Sequence, residues 1–341
     1  MERRDFLKLS AGAFMASQLP WPAQAGNASP LASPQEGRTA SEVKRDVNRL
    51  KPLNLKKIEI PVGIEKPFGA IHISDTHLTL ADNRNDERKI SLAAGRARGM
   101  NLGEHYLDEC IHYARRHDLL MLHTGDLIDF VSEANLDRAA QHYMQADWFV
   151  SSGNHEFSQY VGEAREDEAY KQQSYQKVQD AYPNDLTFCS RVVNGVNLIA
   201  LDDVYYNVTE RQHELLEQEV KRGLPIVILC HVPFYTPDLC KFSLERTPQC
   251  AYVTGAPLEI TRHFEHQDDR PQEEQWRNRS VQQQADKPTL EFLKWLRHQK
   301  AVKGLLTGHM HFFYEGPFSK TAMQYVVGAT YHGDAYEVRF V

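Results

Sequence analysis

The chain has 341 residues, a formal net charge of −7, 41% hydrophobic residues and 25% charged residues. This composition is ordinary for a globular protein of one large or two small domains. The negative balance gives no basic field that would favour nucleic acid as a partner, and no apolar stretch is long enough to span a bilayer.

The first 25 residues have the features of an export signal. Arg3 and Arg4 lie in ERRDFLK, which resembles the twin-arginine motif, and a short, mild apolar stretch follows. Ala23-Gln24-Ala25 offers a cleavage site of the small-x-small type, so we expect the mature chain to begin near Gly26. These features predict the twin-arginine export machinery as a partner and a periplasmic or otherwise exported protein with no membrane span after cleavage.

A polar stretch with scattered prolines follows at residues 26–56, and we expect it to be a linker or wrapping arm. From residue 57 to residue 341, short apolar runs alternate with helical patterns. The runs predict strands over Phe68–Ser74, Leu119–Thr124, Trp148–Ser152, Leu198–Leu201, Ile226–Cys230 and Gly304–Thr307. Helices are predicted over Glu104–Arg116, Leu136–Gln145, Ala164–Ala181, Glu210–Arg222 and Thr289–Gln299. This alternation favours parallel βαβ units, and the alternating tail Gln324–Val341 favours a closing pair of antiparallel strands.

Two insertions interrupt the alternation. Residues 81–103 contain five basic side chains and are either a loop that contacts an anionic substrate or a solvated loop with acidic partners. Residues 235–287 are long and very polar, and they are either a substrate-shaping lid or a disordered segment. Both insertions follow segments that carry candidate ligands.

Seven side chains that can bind metal ions come directly after the predicted strands. They lie in IHISDTHL, LHTGDLID, SSGNHE, ILCHVPF and LLTGHMH, and they are Asp75, His77, Asp126, Asn154, His231, His309 and His311. Because open α/β sheets place their chemistry beyond the carboxyl ends of strands, we expect these residues to form one site. Carboxylates with imidazoles favour Fe, Mn, Zn or Co over Mg.

The ordered motifs D-x-H, G-D, G-N-H-E, H and G-H-x-H resemble those of the calcineurin-like metallophosphoesterases over residues 66–341. The resemblance implies an α/β fold in which two mixed β-sheets pack face to face with helices on both outer faces, a four-layer αββα sandwich. It implies a binuclear centre of two divalent or trivalent ions in a catalytic domain at 57–341. Asp75, His77 and His311 would hold one ion, Asn154, His231 and His309 would hold the other, and Asp126 would bridge them.

The same resemblance implies metal-dependent hydrolysis of a small phosphoester by a bridging hydroxide, with His155 facing the phosphate as the candidate general acid. A phosphodiester is favoured over a monoester because ISDTHL and the single domain are similar to cyclic-nucleotide-type phosphodiesterases. The alternatives are a nuclease of the same superfamily and a non-catalytic binding module on this fold. Purple acid phosphatases carry Tyr three residues after the bridging Asp, where this chain has Asp129.

Aromatic and cysteine residues near these motifs leave further alternatives open. Tyr205, Tyr206 and the run Phe312 to Tyr314 either stack on an aromatic leaving group or pack in the core. A disulfide between Cys240 and Cys250 would hold the polar insertion together in an oxidising compartment.

Overall fold

The computed structural model describes residues 50–161, 167–248, 251–261 and 284–341. The chain divides into two units, Met1–Arg49 and Leu50–Val341, and all the elements given below belong to the second unit. The predicted signal at residues 1–25 and most of the predicted arm lie outside the described residues. The predicted start of the catalytic domain at residue 57 falls inside the first strand.

The strands form two mixed sheets. The first sheet has the order β1-β11-β2-β3-β4 and the second has the order β5-β6-β7-β8-β10-β9. The strands are β1 Asn54–Ile60, β2 Phe68–Ile73, β3 Leu120–Thr124, β4 Trp148–Ser151, β5 Phe188–Val193, β6 Val196–Leu201, β7 Ile226–Leu229, β8 Val302–Thr307, β9 Tyr314–Pro317, β10 Met323–Val326 and β11 Asp334–Phe340.

Helices lie between the strands along the chain. They are α1 Glu87–Met100, α2 Gly103–His117, α3 Glu133–Tyr143, α4 Glu168–Gln172, α5 Tyr175–Gln179, α6 Glu210–Lys221, α7 Pro237–Leu244, α8 Leu258–Thr261 and α9 Lys287–Leu296. Short 3₁₀ turns occur at His155–Phe157, Val204–Tyr206 and Thr330–His332. None of the helices among the described residues combines the length and the apolar character needed to cross a bilayer.

Successive side chains of each strand point to opposite faces of its sheet, so each strand contributes to one core between the sheets and one core outside them. In β6, Leu198 and Ala200 belong to the core between the sheets, whereas Ile199 and Leu201 face outward. In β2, Ala70 faces inward while Ile71 packs outward. Strands buried on both faces must be covered on both sides, so each sheet needs an outer layer of helices.

Helices supply that outer layer on both sheets. Leu107 and Ile111 of α2 pack in the outer core of the first sheet. Phe292 and Leu296 of α9 and Leu216 of α6 do the same for the second sheet. Burial of each such apolar side chain stabilises the folded state by roughly 1.5–3 kcal/mol. The arrangement confirms the predicted αββα sandwich.

Two predicted elements between the strands were wrong in detail. The helix expected over Ala164–Ala181 is two short helices, α4 and α5, in its described part. The loop expected over 81–103 is mostly helix α1, which begins where the Asp86 side chain accepts a hydrogen bond from the Lys89 N–H. Only Lys89 and Ala93 of α1 are buried, so its apolar stripe was too weak to detect.

The tail also differs from its prediction. β10 pairs with β8 and β9 in the second sheet, whereas β11 pairs with β1 and β2 in the first. The two tail strands therefore do not pair with each other. Alternation of apolar and polar residues predicts that a segment is a strand. It does not predict which strand pairs with it, since pairing also depends on the turn that joins two strands.

Parallel pairing aligns the strand ends that matter for the site. β2, β3 and β4 run parallel, and so do β6, β7 and β8. Their carboxyl ends therefore lie at one edge of each sheet, and the loops that leave β2, β3, β4, β7 and β8 meet at that edge.

Candidate metal centre

The loops after five strands bring the predicted ligands together. Each ligand follows its strand by two to four residues, and the strands belong to both sheets. The first sheet supplies Asp75 and His77 after β2, Asp126 after β3 and Asn154 after β4, and the second supplies His231 after β7 and His309 and His311 after β8. The ends of these five strands therefore place all seven candidate ligands in one cluster.

One group of ligand atoms forms around the Asp75 carboxylate. The Nε2 atom of His311 lies 3.0 Å from Asp75 Oδ1, and His77 Nε2 lies 3.8 Å from the same oxygen. The two imidazole nitrogens are 3.3 Å apart. Ligand atoms of all three residues lie within 4.8 Å of one another, which is close enough to hold one metal ion.

A second group forms around Asp126. Its Oδ2 atom lies 3.2 Å from His231 Nε2, and His231 Nε2 lies 3.1 Å from His309 Nδ1. The same Oδ2 atom is 3.7 Å from His77 Nε2 of the first group. Asp126 is therefore placed between the two groups, as a residue that contacts both ions must be.

Two buried oxygens support occupation of the site by cations. Asn154 Oδ1 is buried and has no hydrogen-bond partner among the described residues, and the buried Asp75 Oδ1 faces the imidazole nitrogens of its own group. Asn154 lies next to His155, whose backbone N–H donates to Asp126 Oδ1 at 2.8 Å. Buried polar atoms without partners are costly, and coordination to a metal ion would satisfy both. The mixed nitrogen and oxygen donors fit transition metals.

Hydrogen bonds orient the histidines that lie deepest. His77 donates from Nδ1 to Asp129 Oδ1 at 2.9 Å, and His231 donates from Nδ1 to the Thr124 carbonyl at 2.7 Å. Each bond uses the nitrogen that faces away from Asp75 and Asp126. Nε2 of each ring therefore remains for a metal, which is the usual effect of such outer hydrogen bonds.

Tyrosine hydroxyls orient the other two histidines. Tyr206 Oη lies 3.0 Å from His309 Nε2, and Tyr331 Oη lies 2.9 Å from His311 Nδ1. His309 thus presents Nδ1 to the cluster and His311 presents Nε2. Sequence reasoning considered Tyr206 only for stacking or packing and did not identify Tyr331, because neither tyrosine belongs to a ligand motif.

His155 is tied to Asp129 and is partly exposed. Its Nδ1 lies 2.7 Å from the Asp129 carbonyl and 3.2 Å from Asp129 Oδ1, and its side chain is 18% exposed. Arg96 of α1 donates to both carboxylate oxygens of Asp129, at 2.6 and 2.7 Å. The sequence drew attention to Asp129 only because it is not a tyrosine, and Arg96 only as one of several basic residues.

Glu156 fixes the two loops from the inside. Its fully buried carboxylate accepts hydrogen bonds from the N–H groups of Asp126 and Leu127 at 2.7 Å and of Gly153 at 2.6 Å. The Tyr182 hydroxyl donates to it at 2.8 Å. One carboxylate therefore holds the loops of Asp126 and Asn154 in register, a role that the sequence did not reveal.

Left-handed backbone is concentrated in this cluster. Among the described non-glycine residues with positive φ, only Asp118 and Asn194 lie apart from it. The others are Asp75, His77, Asp126, Tyr205, Tyr206, Tyr252, His309 and His311. The Tyr252 ring stands 5.5 Å from that of His309. Such conformations persist only where the surroundings impose them, and they are typical of functional sites.

Burial and neighbouring charges shift the pKa values of the imidazoles in the cluster. Burial opposes a charge on His77, yet its hydrogen bonds to Asp129 and another carboxylate raise its pKa to about 10. Burial likewise opposes a charge on His231, but the Asp126 carboxylate raises its pKa to about 10. Burial and the neighbouring His231 lower the pKa of His309 to about 3. Groups perturbed by burial and by specific charges, gathered at one edge, indicate a functional site.

The remaining predicted residues have mainly packing roles. Tyr205 is in the outer core of the first sheet, Phe312 packs against Phe242, and Phe313 packs against Tyr336. The described part of the polar insertion includes α7 and α8.

The cysteine predicted to close that insertion behaves differently from the expectation. Cys240 is a buried free thiol, which does not match the predicted bridge, and its predicted partner Cys250 lies outside the described residues. Cys230, beside His231, is also a buried free thiol.

The sequence pattern of the calcineurin-like phosphoesterase family matches residues 70–313, a span that contains all seven candidate ligands. The chain belongs to this family. Members hydrolyse phosphoesters, so this calcineurin-like protein is a phosphoester hydrolase whose clustered side chains are candidate metal ligands. No curated protein matches the chain significantly.

Solved structures resemble this family member at low identity. A dimetal phosphatase from Danio rerio is 15% identical, with a TM-score of 0.45, over 80% of this chain and 89% of that one. A 5'-nucleotidase from Candida albicans is 14% identical, with a TM-score of 0.36, over 82% of this chain and 47% of that one. The phosphopantetheinyl hydrolase of Mycobacterium tuberculosis is 11% identical, with a TM-score of 0.35, over 77% of this chain and 90% of that one.

Proposed function

We propose that the protein hydrolyses a small phosphoester, with a phosphodiester favoured over a monoester, at a centre of two metal ions. The ions would be Fe, Mn, Zn or Co, since imidazoles make up much of the donor set. One ion would be held by Asp75, His77 and His311, the other by Asn154, His231 and His309, and both by Asp126. The observation that carries the proposal is the pair of histidine and carboxylate groups, in which Asp126 of the second group lies 3.7 Å from His77 of the first.

The bound ions would act as Lewis acids on a phosphoryl oxygen and would lower the pKa of the attacking water. The protein's own part is to place the substrate and to supply a proton. His155 would donate that proton from Nε2 to the leaving oxygen, because Asp129 occupies its Nδ1. Burial opposes a charge on His155, but the neighbouring carboxylates of Asp126 and Asp129 raise its pKa, which favours the protonated form that an acid needs.

Asp129 would serve two rings at once. It accepts hydrogen bonds from His77 and lies within 3.2 Å of His155 Nδ1, so it would orient a metal ligand and the acid together. Arg96 offsets its charge through two hydrogen bonds. The preference for diesters is supported by the ISDTHL motif at residues 73–78 of the catalytic domain.

The N-terminal sequence supports a second proposal, export by the twin-arginine route. Arg3 and Arg4 precede a mild apolar stretch, and Ala25 would be the last residue of the signal. That route moves folded proteins, so the metal ions would be bound before the protein reaches the periplasm.

A matched pair of aryl substrates tests the proposed chemistry. Purified mature protein would be assayed with bis(p-nitrophenyl) phosphate and p-nitrophenyl phosphate, before and after chelation and after reloading with Mn, Zn, Co or Fe. We expect turnover that is lost on chelation, returns on reloading, and is faster for the diester. Turnover that persists after elemental analysis shows the metals to be gone would overturn the metal-dependent mechanism. Faster monoester turnover would overturn the diester preference alone.

A further inference from the structure

Strand β6 carries none of the seven candidate ligands, although it runs parallel to β7, the strand that leads to His231. Asp202 and Asp203 follow the end of β6, and the 3₁₀ turn Val204–Tyr206 comes next. The side chains of Asp202, Asp203 and Tyr206 are all buried. Because buried carboxylates are costly unless other groups pair with them, the partners of these two indicate what the segment does.

Asp203 holds the loop that carries His231. Its Oδ1 atom accepts hydrogen bonds from the backbone N–H groups of His231 and Val232, both at 3.1 Å. Its Oδ2 atom accepts a third bond from the Thr254 hydroxyl at 3.3 Å. The His231 ring is fixed separately, by the bond from its Nδ1 to the Thr124 carbonyl. Asp203 therefore sets the backbone of a ligand whose ring is already oriented.

Asp202 holds the loop that carries Asn154. Its Oδ1 atom accepts a hydrogen bond at 3.1 Å from the hydroxyl of Ser152, which lies two residues before Asn154. Its Oδ2 atom pairs with the buried Lys171 ammonium, which compensates the charge of the carboxylate. The Asn154 Oδ1 atom that this loop carries is buried and has no hydrogen-bond partner among the described residues. Asp202 thus braces the loop of an oxygen that is suited to a cation.

The turn after the two carboxylates reaches a third ligand. Tyr206 Oη lies 3.0 Å from His309 Nε2, and the Tyr206 N–H closes the turn on the Asp203 carbonyl at 3.0 Å. Tyr205 and Tyr206 both have left-handed backbone, with φ of 65° and 66°. Two successive left-handed residues other than glycine are costly, and such backbone persists where the surroundings impose it. The strain places the Tyr206 hydroxyl behind His309.

We propose that residues 202–206 are a positioning segment for one of the two metal ions, the ion that Asn154, His231 and His309 would hold. We call it the His309 ion. The inference rests on the proposed two-metal centre, because it needs a second ion to position. Side chains that orient metal ligands commonly change metal affinity without touching the metal. One segment that braces all three of these ligands should therefore control the affinity of this ion.

The other ion, which we call the His311 ion, has different supports. Asp129 accepts the hydrogen bond from His77 Nδ1, and Tyr331 Oη lies 2.9 Å from His311 Nδ1. Changes in the 202–206 segment leave both of these contacts in place. The proposal therefore predicts that such changes weaken the two ions unequally, whereas a general loosening of the fold would weaken both.

Three variants each remove one contact of the segment. Tyr206→Phe removes the hydroxyl behind His309, and Ser152→Ala removes the hydroxyl that bonds to the Asp202 carboxylate. Asp203→Ala removes the acceptor of the His231 N–H. None of the three replaces a proposed metal ligand.

Two further variants are the controls. Asp203→Asn keeps an oxygen that can accept the two backbone bonds made by Oδ1, so it should restore what Asp203→Ala loses. Ser151→Ala is matched to Ser152→Ala, because Ser151 is the adjacent buried serine and its hydroxyl has no hydrogen-bond partner in the described part of the chain.

The measurement assigns each ion separately. The metal-free mature protein and its variants are titrated with Mn in a calorimeter, and anomalous diffraction from crystals soaked in limiting Mn shows which position has lost its ion. We expect Tyr206→Phe and Asp203→Ala to weaken the His309 ion about 10–100-fold, as is usual for such outer contacts. Ser152→Ala should weaken it roughly tenfold, the value of one hydrogen bond. The His311 ion should stay within about threefold of wild type, and both controls should match wild type for both ions.

The outcomes separate this inference from the hydrolysis on which it rests. Equal weakening of both ions, or equal effects of Ser152→Ala and Ser151→Ala, would overturn the positioning role. If circular dichroism shows that Asp203→Ala does not fold, Tyr206→Phe and Ser152→Ala decide the question. Wild-type affinity for both ions in those two variants would overturn the positioning role and leave the hydrolysis intact. A wild-type protein that binds fewer than two ions would overturn both proposals.

Discussion

The two sheets contribute different halves of the candidate metal centre. The first sheet supplies both carboxylates, and Asp75 and Asp126 are at most 2% exposed. The second sheet supplies imidazoles alone, and the His311 side chain is 33% exposed. The halves meet where Asp126 lies 3.2 Å from His231. A half that carries the carboxylates therefore faces a half made of imidazoles across the seam between the sheets.

The halves are also held in place by different means. On the first sheet, Glu156 accepts three short backbone hydrogen bonds from two ligand loops. On the second, the buried Asp203 carboxylate accepts two backbone hydrogen bonds from the His231 loop in a similar way. His309 and His311, however, each have one tyrosine hydroxyl behind them. A buried carboxylate that bonds several N–H groups is a stronger constraint than a single neutral hydrogen bond. We therefore expect changes at the first-sheet ligands to have larger effects than changes at the two tyrosines.

Replacement of Asp126 by Asn should have the largest effect. Asp126 lies between both ligand groups, so the change removes a charge that both ions would share. We expect a folded protein that has lost most of both metal ions, with kcat/KM lower by about 10³-fold or more, the value of several kcal/mol of charge stabilisation. Elemental analysis and circular dichroism would measure metal content and folding.

Asp137→Asn is the matched control for this change, because Asp137 is 60% exposed and pairs only with Arg84 among the described residues. It should retain two metals and full activity. If Asp126→Asn also retained two metals, the assignment of Asp126 to both ions would be wrong.

His155→Ala should leave metal content unchanged while it slows the chemistry. We expect kcat to fall roughly 10²–10⁴-fold for an alkyl leaving group, which needs a proton, and much less for nitrophenolate. His298→Ala, at an exposed position, is the control. Equal losses with both leaving groups would argue against His155 as the acid.

The tyrosines of the second sheet should have smaller effects. Tyr331→Phe removes the partner of His311 Nδ1 without removing a ligand. We expect the affinity of the ion held by His311 to fall about 10–100-fold, as is usual for such outer partners. Tyr113→Phe, which removes a hydroxyl bonded to Glu337, should leave metal affinity as it is. Isothermal titration of the metal-free variants would compare their affinities for the ion. Equal affinities would show that Tyr331 does not support the metal ligand His311.

A change outside both halves should not affect the chemistry at all. We expect Arg3→Lys with Arg4→Lys to leave the purified protein as active as wild type but retained in the cytoplasm, since the pair would be the recognition element of the proposed signal. Fractionation of cells that express each form would show this. Normal delivery of the double variant to the periplasm would exclude the twin-arginine route.

The sequence predicted what depends on local pattern. Apolar runs followed directly by Asp, Asn or His located the strand ends, and the order of strands and helices implied the sheets at whose edge those ends meet. Asp75, His77, Asp126, His231, His309 and His311 therefore lie where the pattern placed them.

What the sequence missed depends on contacts between distant segments. Arg96 binds Asp129, and Tyr331 reaches His311, through positions that no motif includes. Glu156 was visible only as a member of SSGNHE, and its bonds to Asp126 appear once the two loops meet. Helix α1 was missed because it is mostly exposed, so periodicity had little to detect.

Anomalous diffraction from crystals grown with Mn or Zn would test the central claim most directly. A centre of two metal ions predicts two peaks about 3.5–4 Å apart. One would lie among Asp75, His77 and His311, the other would lie beside His231 and His309, and Asp126 would contact both. A single peak, or a peak among His77, Asp129 and His155 instead, would contradict the two-metal centre, because those three side chains also lie close enough to hold an ion.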